Sequence, residues 1–410
     1  MVEKTKISIQ KIINDNIEPA VFKALNSINA EKLFPREGMK ILLKPNLLIA
    51  KPPERAATTH PEIVRAVIHW LKQFNPSKIY ASDSSGGRDQ GVTEKCMKVS
   101  GIQAVCEEEG AECVPFEKTE RKIYEVPNPL EMKQFVSSRL LEEVDLIINL
   151  PKIKTHWQCT LTCCVKNMFG TILRVNKAKT HAQYPFLDRF SAALADIYSV
   201  SKPQLTIVDG YLCQEGDGPS KGDVVKMDLI LAGFDGVALD SVVSQIVGLD
   251  PREIIPIVKA KEKGLGTMDL SEMEILGEEI TSISRKFKIP RKKPISMPLP
   301  KRLADYVGKK IFKASVKFDD SKCKLCSTCW ENCPVGAITP PREIKKGNIP
   351  KWNKEKCITC YCCAELCPHE AVDFKINYVK NVFTSWVGIG FIAIILILVL
   401  IILLIFIFVH

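Results

Sequence analysis

The chain has 410 residues, 46% of them hydrophobic and 25% charged, too many for one small module and too apolar for a disordered or collagen-like chain. Its net charge of +10 is local: twelve Lys and Arg against the single acid Asp305 between Ser284 and Lys317 carry +11, and the remaining chain sums to −1. The protein is therefore not basic in general, and nine of its 16 Cys are equally concentrated, between Cys323 and Cys367.

From the N-terminus, Met1 to Glu18 holds Lys4, Lys6, Lys11 and Asp15 and no apolar run of signal-peptide length, so export is not expected. Short β-rich runs follow at Lys6–Ile12, Lys40–Lys44, Lys78–Asp83, Val144–Leu150, Leu205–Asp209 and Asp228–Gly233. Helical patterns alternate with them at Glu18–Leu33, Pro61–Phe74, Thr93–Glu109 and Asp188–Val200, the second opened by a Thr-Thr-His-Pro-Glu start signal. Such alternation predicts an α/β domain over residues 1–283 with a mainly parallel sheet.

Nearly every predicted strand ends in polar residues. Lys44, Pro45 and Asn46 follow one, Asp83, Ser84, Ser85, Gly86 and Gly87 another, Lys152, Lys154 and His156 a third, and Asp209 a fourth. Open parallel sheets bind ligands at the carboxyl ends of their strands, so these groups are expected around one crevice. Ser84, Gly86 and Gly87 suit either an anion cradle or an ordinary turn. Lys152, Lys154 and His156 suit anion binding or proton transfer, with solvated loop residues as the alternative. Glu215–Pro219 is an acidic, Gly-rich loop whose Asp217, with Asp209, offers a weak divalent-ion set that fits no calcium-hand spacing. His156, Cys159, Cys163 and Cys164 offer another weak metal set, small core thiols being the more ordinary reading. No G-x-G-x-x-G follows a strand and no P-loop is present, so neither nicotinamide nor ATP is indicated.

KPNLL (44–48), TTHPEIVRAV (58–67), DSSGG (83–87), NLPKIKTH (149–156), VKNMFG (165–170), Asp209-Gly210 and the DGPSKGD loop (217–223) together resemble the family known as domain of unknown function 362, over roughly residues 5–280. The resemblance implies architecture without a reaction, and members often carry an appended two-cluster ferredoxin domain. In that family the segment after KTH is usually small and apolar, so Cys159, Cys163 and Cys164 are departures.

Residues 284–317 read as a basic linker punctuated by Pro290, Pro294, Pro298 and Pro300. Within it, Lys301–Lys313 places Leu303, Tyr306, Val307 and Ile311 at helical spacing beside five basic residues, the pattern of an interfacial helix on anionic lipid. Few aromatics interleave, so nucleic acid is not the expected partner. Residues 318–376 contain two stretches that repeat at an offset of 34. Each reads C-x2-C-x2-C-x3-C-P, the ligand run of a two-cluster ferredoxin, whose fourth Cys crosses to the other cluster. Cys323, Cys326, Cys329 and Cys367 are therefore assigned to one [4Fe-4S] cluster, and Cys357, Cys360, Cys363 and Cys333 to the second; Cys362 is a surplus thiol. From Val387 to Val409 run 23 uncharged residues behind Trp386, enough for one transmembrane helix over 386–409.

The sequence thus predicts a mainly parallel α/β domain, a small α+β ferredoxin-like module and a tail anchor in the cell membrane, with the soluble parts in the cytoplasm. Two functions compete. One is a redox enzyme in which Lys44, Asn46, Asp83, Ser84, Gly86, Gly87 and Lys166 hold a substrate, Lys152, Lys154, His156 and Asp209 act on it, and an unidentified redox partner supplies electrons. The other is an electron carrier or assembly factor whose α/β domain recognises a partner.

Overall fold

The computed structural model describes residues 4–86, 91–184, 186–290, 314–345 and 347–376, with positions 390 and 394. The chain divides into two compact units, 1–294 and 295–410.

In the first unit β1 (Thr5–Lys11), β2 (Lys40–Pro45), β3 (Lys78–Ala81), β4 (Glu112–Cys113), β7 (Leu146–Leu150), β8 (Lys152–His156), β9 (Thr160–Thr162), β10 (Leu205–Glu215), β11 (Asp223–Gly233) and β12 (Met273–Gly277) share one sheet. A separate hairpin joins β5 (Arg121–Glu125) to β6 (Gln134–Ser138). The main path runs β12-β1-β11-β10-β7-β2-β3-β4, and β8 continues the sheet beside β10. The pairs β10–β7, β7–β2, β2–β3, β3–β4, β10–β8 and β1–β12 are parallel. The sheet is thus mainly parallel, as expected, but β11 pairs antiparallel with both β10 and β1.

Central strands such as β7 (LIINL) are buried throughout because both sheet faces are covered. Alternate residues of β2 serve opposite layers: Ile41 and Leu43 pack with the helices Ile17–Ser27, Pro61–Lys72 and Ile102–Glu109, while Leu42 joins the layer containing the helices Gly236–Ile246 and Ile255–Glu262. The helix predicted over Thr93–Glu109 is two, Val92–Val99 and Ile102–Glu109. Gly101 lies between them at φ +78, a conformation that suits glycine, and faces Pro61 closely.

The second unit carries the sequence repeat into its backbone. Leu325 and Ser327 in the first half and Thr359 and Tyr361 in the second all take positive φ, each ahead of a one-turn helix, Thr328–Glu331 or Cys362–Glu365. The halves close on each other through two antiparallel pairs, Ala314–Phe318 with Val372–Ile376 and Ile338–Thr339 with Lys351–Trp352.

Among the described residues no helix is long and apolar enough to cross a membrane. Apart from positions 390 and 394, the apolar run 387–409 lies outside the described residues, and so does the predicted interfacial helix at 301–313.

Candidate functional site

Two buried Lys–Asp pairs lie at the strand ends. Lys44, at the end of β2, places Nζ 3.0 Å from Asp83 Oδ1, with both side chains withdrawn from solvent. Asp83 Oδ2 accepts the Leu47 amide at 2.7 Å, and Oδ1 accepts that of Ser84 at 2.7 Å. Burial lowers the Lys44 pKa, and the Asp83 charge opposes that shift. Gly170 lies directly over this pair, where a Cβ would overlap Asp83 Oδ1 and Lys44 Nζ.

The second pair exists because Pro151 interrupts the chain between β7 and β8 and its carbonyl accepts the Asp209 amide at 2.8 Å. Lys152 and Asp209 thereby come level. Their side chains, wholly buried, meet at 2.7 Å. Asp209 Oδ2 also accepts the His60 amide at 2.7 Å.

Lys154 donates to Asn46 Oδ1 and to the Ala57 carbonyl, each at 2.6 Å. From Asn46 an amide chain runs inward: Asn46 Nδ2 to Asn167 Oδ1 at 2.8 Å, Asn167 Nδ2 to Asn149 Oδ1 at 2.7 Å, and Asn149 Nδ2 to the Cys164 carbonyl at 3.1 Å. His156 is buried, and its Nδ1 accepts the amides of Gln158 and Cys159 at 3.1 and 3.2 Å. Burial first, then the positive charge of Lys166, His181 and Lys154, drives its pKa well below the ordinary imidazole value. In its neutral form His156 therefore carries its proton on Nε2.

The structure thus gathers Lys44, Asn46, Asp83, Ser84, Lys152, Lys154, His156 and Asp209 around one set of strand ends. Of the amides that could cradle an anion, those of Ser84 and Ser85 are already engaged. The Ser84 amide is held by Asp83 Oδ1 and the Gly170 carbonyl, and the Ser85 amide by Thr93 Oγ1. Gly86 is only partly buried and Gly87 lies outside the described residues. Of the weak divalent-ion set, Asp209 is already paired with Lys152.

The weak Cys–His metal set is not assembled as expected. Among the described residues, the ligand atoms that converge are those of Cys163, Cys164 and Asp240, without His156 or Cys159. Asp240 accepts the Cys164 and Val165 amides at 2.6 and 3.0 Å. Burial raises its carboxyl to about 6 and the Cys163 thiol to about 11, so the thiols stay protonated and donate to the carboxylate.

Sequence reading missed His60, Asn149, Asn167, Lys177 and His181. A polar residue at the end of β7 could have flagged Asn149, whereas His60 caps the helix Pro61–Lys72. Lys177 and His181 lie on the helix Arg174–Gln183, whose polar sequence reads as solvent-facing.

In the second unit one cavity is lined by Cys333 together with Cys357, Cys360 and Cys363, and by apolar residues that include Ile358 and Phe374. Cys329 sits among Cys367, Cys326 and Cys323, and burial followed by these neighbours pushes its thiol up to about 12. The Ala337 amide donates to Cys333 Sγ at 3.1 Å and the Ala371 amide to Cys367 Sγ at 3.3 Å, the same contact repeated at the offset of 34. Four thiols around one apolar cavity, with amide donors to sulfur, fit a [4Fe-4S] cluster.

Two family models match the chain: a domain of unknown function, DUF362, over residues 41–245, and a 4Fe-4S dicluster domain over residues 322–371. A thylakoid-associated protein of Synechocystis is 33% identical over 234 residues, which are 56% of this chain and 69% of that one. The lactate racemase apoprotein of Thermoanaerobacterium thermosaccharolyticum superposes with a TM-score of 0.36 at 14% identity, over 57% of this chain and 54% of that one. A Thermotoga maritima protein superposes with a TM-score of 0.37 at 14% identity, over 62% and 59%. The chain therefore spans little more than half of either solved structure.

Proposed function

Since the chain belongs to the DUF362 family and carries a 4Fe-4S dicluster domain, we propose that this iron–sulfur electron-transfer protein is a membrane-tethered reductase acting on a small molecule held at the strand ends of its α/β domain. The observation that carries the reading is the pair of buried Lys–Asp couples beside a neutral, buried His156. Two buried ion pairs in one crevice are costly as mere stabilisers, and perturbed titratable groups concentrate where chemistry is done.

Cys323, Cys326, Cys329 and Cys367 hold one cluster, and Cys357, Cys360, Cys363 and Cys333 the other. When bound, the clusters supply electrons singly. The chain's own groups supply the rest. Lys44, set by Asp83, and Lys154, set by Asn46, present positive charge to the substrate; Lys152, held by Asp209, supports the crevice floor; His156 offers its Nε2–H as a hydrogen-bond donor to the substrate. Membrane attachment is supported by the apolar run at 387–409 and by the thylakoid-associated relative. The basic linker adds a contact with anionic lipid.

The test uses the full chain, purified anaerobically in detergent and reduced with dithionite. Fractions of a small-molecule extract are added, and reoxidation is followed by the return of visible absorption. A fraction that reoxidises the wild type but neither Lys154→Met nor His156→Gln, at unchanged iron content, supports the reading. Equal reoxidation of all three would make the α/β domain a docking surface and the protein a carrier or assembly factor.

A further inference from the structure

Beside the Lys44–Asp83 pair lies a second cluster of basic groups. Phe169 leads into the helix Arg174–Gln183, on which Lys177 and His181 are four residues apart and share a face. Lys166 Nζ lies 5.9 Å from the Phe169 ring centroid and Lys177 Nζ 6.0 Å from it. The His181 ring stands perpendicular to the same phenyl at 5.5 Å. Three basic groups thus surround one aromatic ring.

Lys44 and Lys152 each have an aspartate, but among the described residues neither Lys166 nor Lys177 forms an ion pair with any carboxylate. The hydrogen bond of Lys177 goes to the Ser84 carbonyl. Asp83 is engaged by Lys44 and two amides, and Glu117 Oε1 by Thr93 Oγ1 and, at 4.0 Å, by Arg174, while Glu117 Oε2 has no hydrogen-bond partner. His181 is only 6% exposed, and its Nδ1 has no hydrogen-bond partner. A buried ring nitrogen without a partner, beside two ammonium groups that form no direct ion pair, is unfavourable unless something else completes the site. Burial lowers Lys177 to about 8, with the charges of Asp83 and Glu117 opposing the shift and those of Lys44 and Lys166 adding to it, and burial followed by Lys166 and Lys177 lowers His181 to about 3.

We propose that Lys166, Lys177 and His181 form the binding site for an oxyanion, a phosphate or carboxylate group, on the molecule that enters the crevice. The proposal rests on the reading of that crevice as a ligand site and names the class of ligand. Two ammonium groups and an imidazole N–H match an acceptor with two or three oxygens and supply the hydrogen-bonding complement that Nδ1 of His181 lacks.

The test is binding, measured on the oxidised full chain in detergent without turnover. Inorganic phosphate, malonate and acetate are titrated against chloride at matched ionic strength, following the unfolding midpoint of the α/β domain and the heat of binding. Phosphate or malonate is expected to raise the midpoint in a saturable way that chloride does not. A response to phosphate alone assigns a phosphate ligand; a response to malonate or acetate alone assigns a carboxylate. Lys166→Gln and Lys177→Gln should each weaken binding at least tenfold, Lys177→Arg should restore it, and Lys202→Gln, an exposed control, should leave it unchanged. The proposal is overturned if no oxyanion exceeds chloride, or if binding survives both Lys→Gln changes in chains whose unliganded midpoints match wild type. The two readings fail separately. Oxyanion binding without reoxidation by any fraction removes the reductase and leaves the site, whereas reoxidation without oxyanion binding removes the site and leaves the reductase.

Discussion

Asp196 is withdrawn from solvent, yet its carboxylate accepts the amides of Leu130, Glu131 and Met132 at 2.9, 2.7 and 2.7 Å and meets Lys263 Nζ at 2.9 Å. Asp196→Ala leaves three amides and an ammonium without their acceptor, and should cost about 3 kcal/mol in urea unfolding. A surface network gives a pH test with opposite signs. Lys72 first, then His69 and Arg65, hold the Glu109 carboxyl down at about 2, below the ordinary value of 4.5. Its contribution is therefore complete above pH 4.5 and is lost as pH falls towards 2. The Glu109→Gln deficit in melting temperature should accordingly shrink over that interval. His69 is raised above 6.5, chiefly by its hydrogen bond to Glu18, so its contribution is complete below 6.5 and disappears as pH rises through the folded value. His69→Gln should thus lose more at about pH 6 than at about pH 9. In the crevice, Lys44, Asp83, Lys152 and Asp209 were legible because charged residues at the ends of apolar strands have few other reasons to be there. Lys177 and His181 were not, because RVNKAKTHAQ has no apolar stripe. Their burial comes from neighbouring elements, such as the next helix, whose Phe190 stacks on His181 at 4.4 Å.

At the scale of elements, apolar runs located most of the strands and helices, while pairing direction escaped. Leu205–Asp209 reads as a short strand ended by Gly210, but β10 continues to Glu215 and forms a long antiparallel hairpin with β11. A Cβ at Gly210 would come within 2.9 Å of the Leu229 carbonyl, so this glycine marks a close approach of two strands rather than the end of one. The break at Pro151 was likewise invisible as the start of a second strand. In the ferredoxin module the spacing itself carried the information, since the cavity that brings Cys333 beside Cys357, Cys360 and Cys363 follows the predicted crossover. On that assignment Cys333→Ser should impair chiefly the cluster of the later motif and Cys367→Ser that of the earlier one. Electron paramagnetic resonance of the reduced variants checks this, and loss of the same signal in both would contradict it.

For the whole molecule, composition marked a basic stretch from Ser284, but its first residues pack on the α/β domain: the Arg285 and Phe287 amides donate to the Ile246 and Val247 carbonyls, Phe287 is buried, and the boundary between the two units falls at 294. Hydropathy alone placed the tail, and it does not say what a tail packs against. Removing residues 387–410 should yield a protein that needs no detergent and keeps about eight irons and eight acid-labile sulfides, because the tail contributes no thiol. Metal and sulfide analysis beside a sedimentation assay checks both parts. The interlocked halves of the ferredoxin module carry a consequence for life in air. On the proposed assignment the earlier motif's cluster includes Cys326, which is exposed, whereas the later motif's four thiols are buried or half-buried. Dioxygen should therefore reach the first cluster sooner, and its loss would release Cys367, the clasp lent by the opposite half. Oxidative damage would pass from one half to the other, so partly bleached molecules should be short-lived, and a cell would meet this protein either intact or ready for disposal.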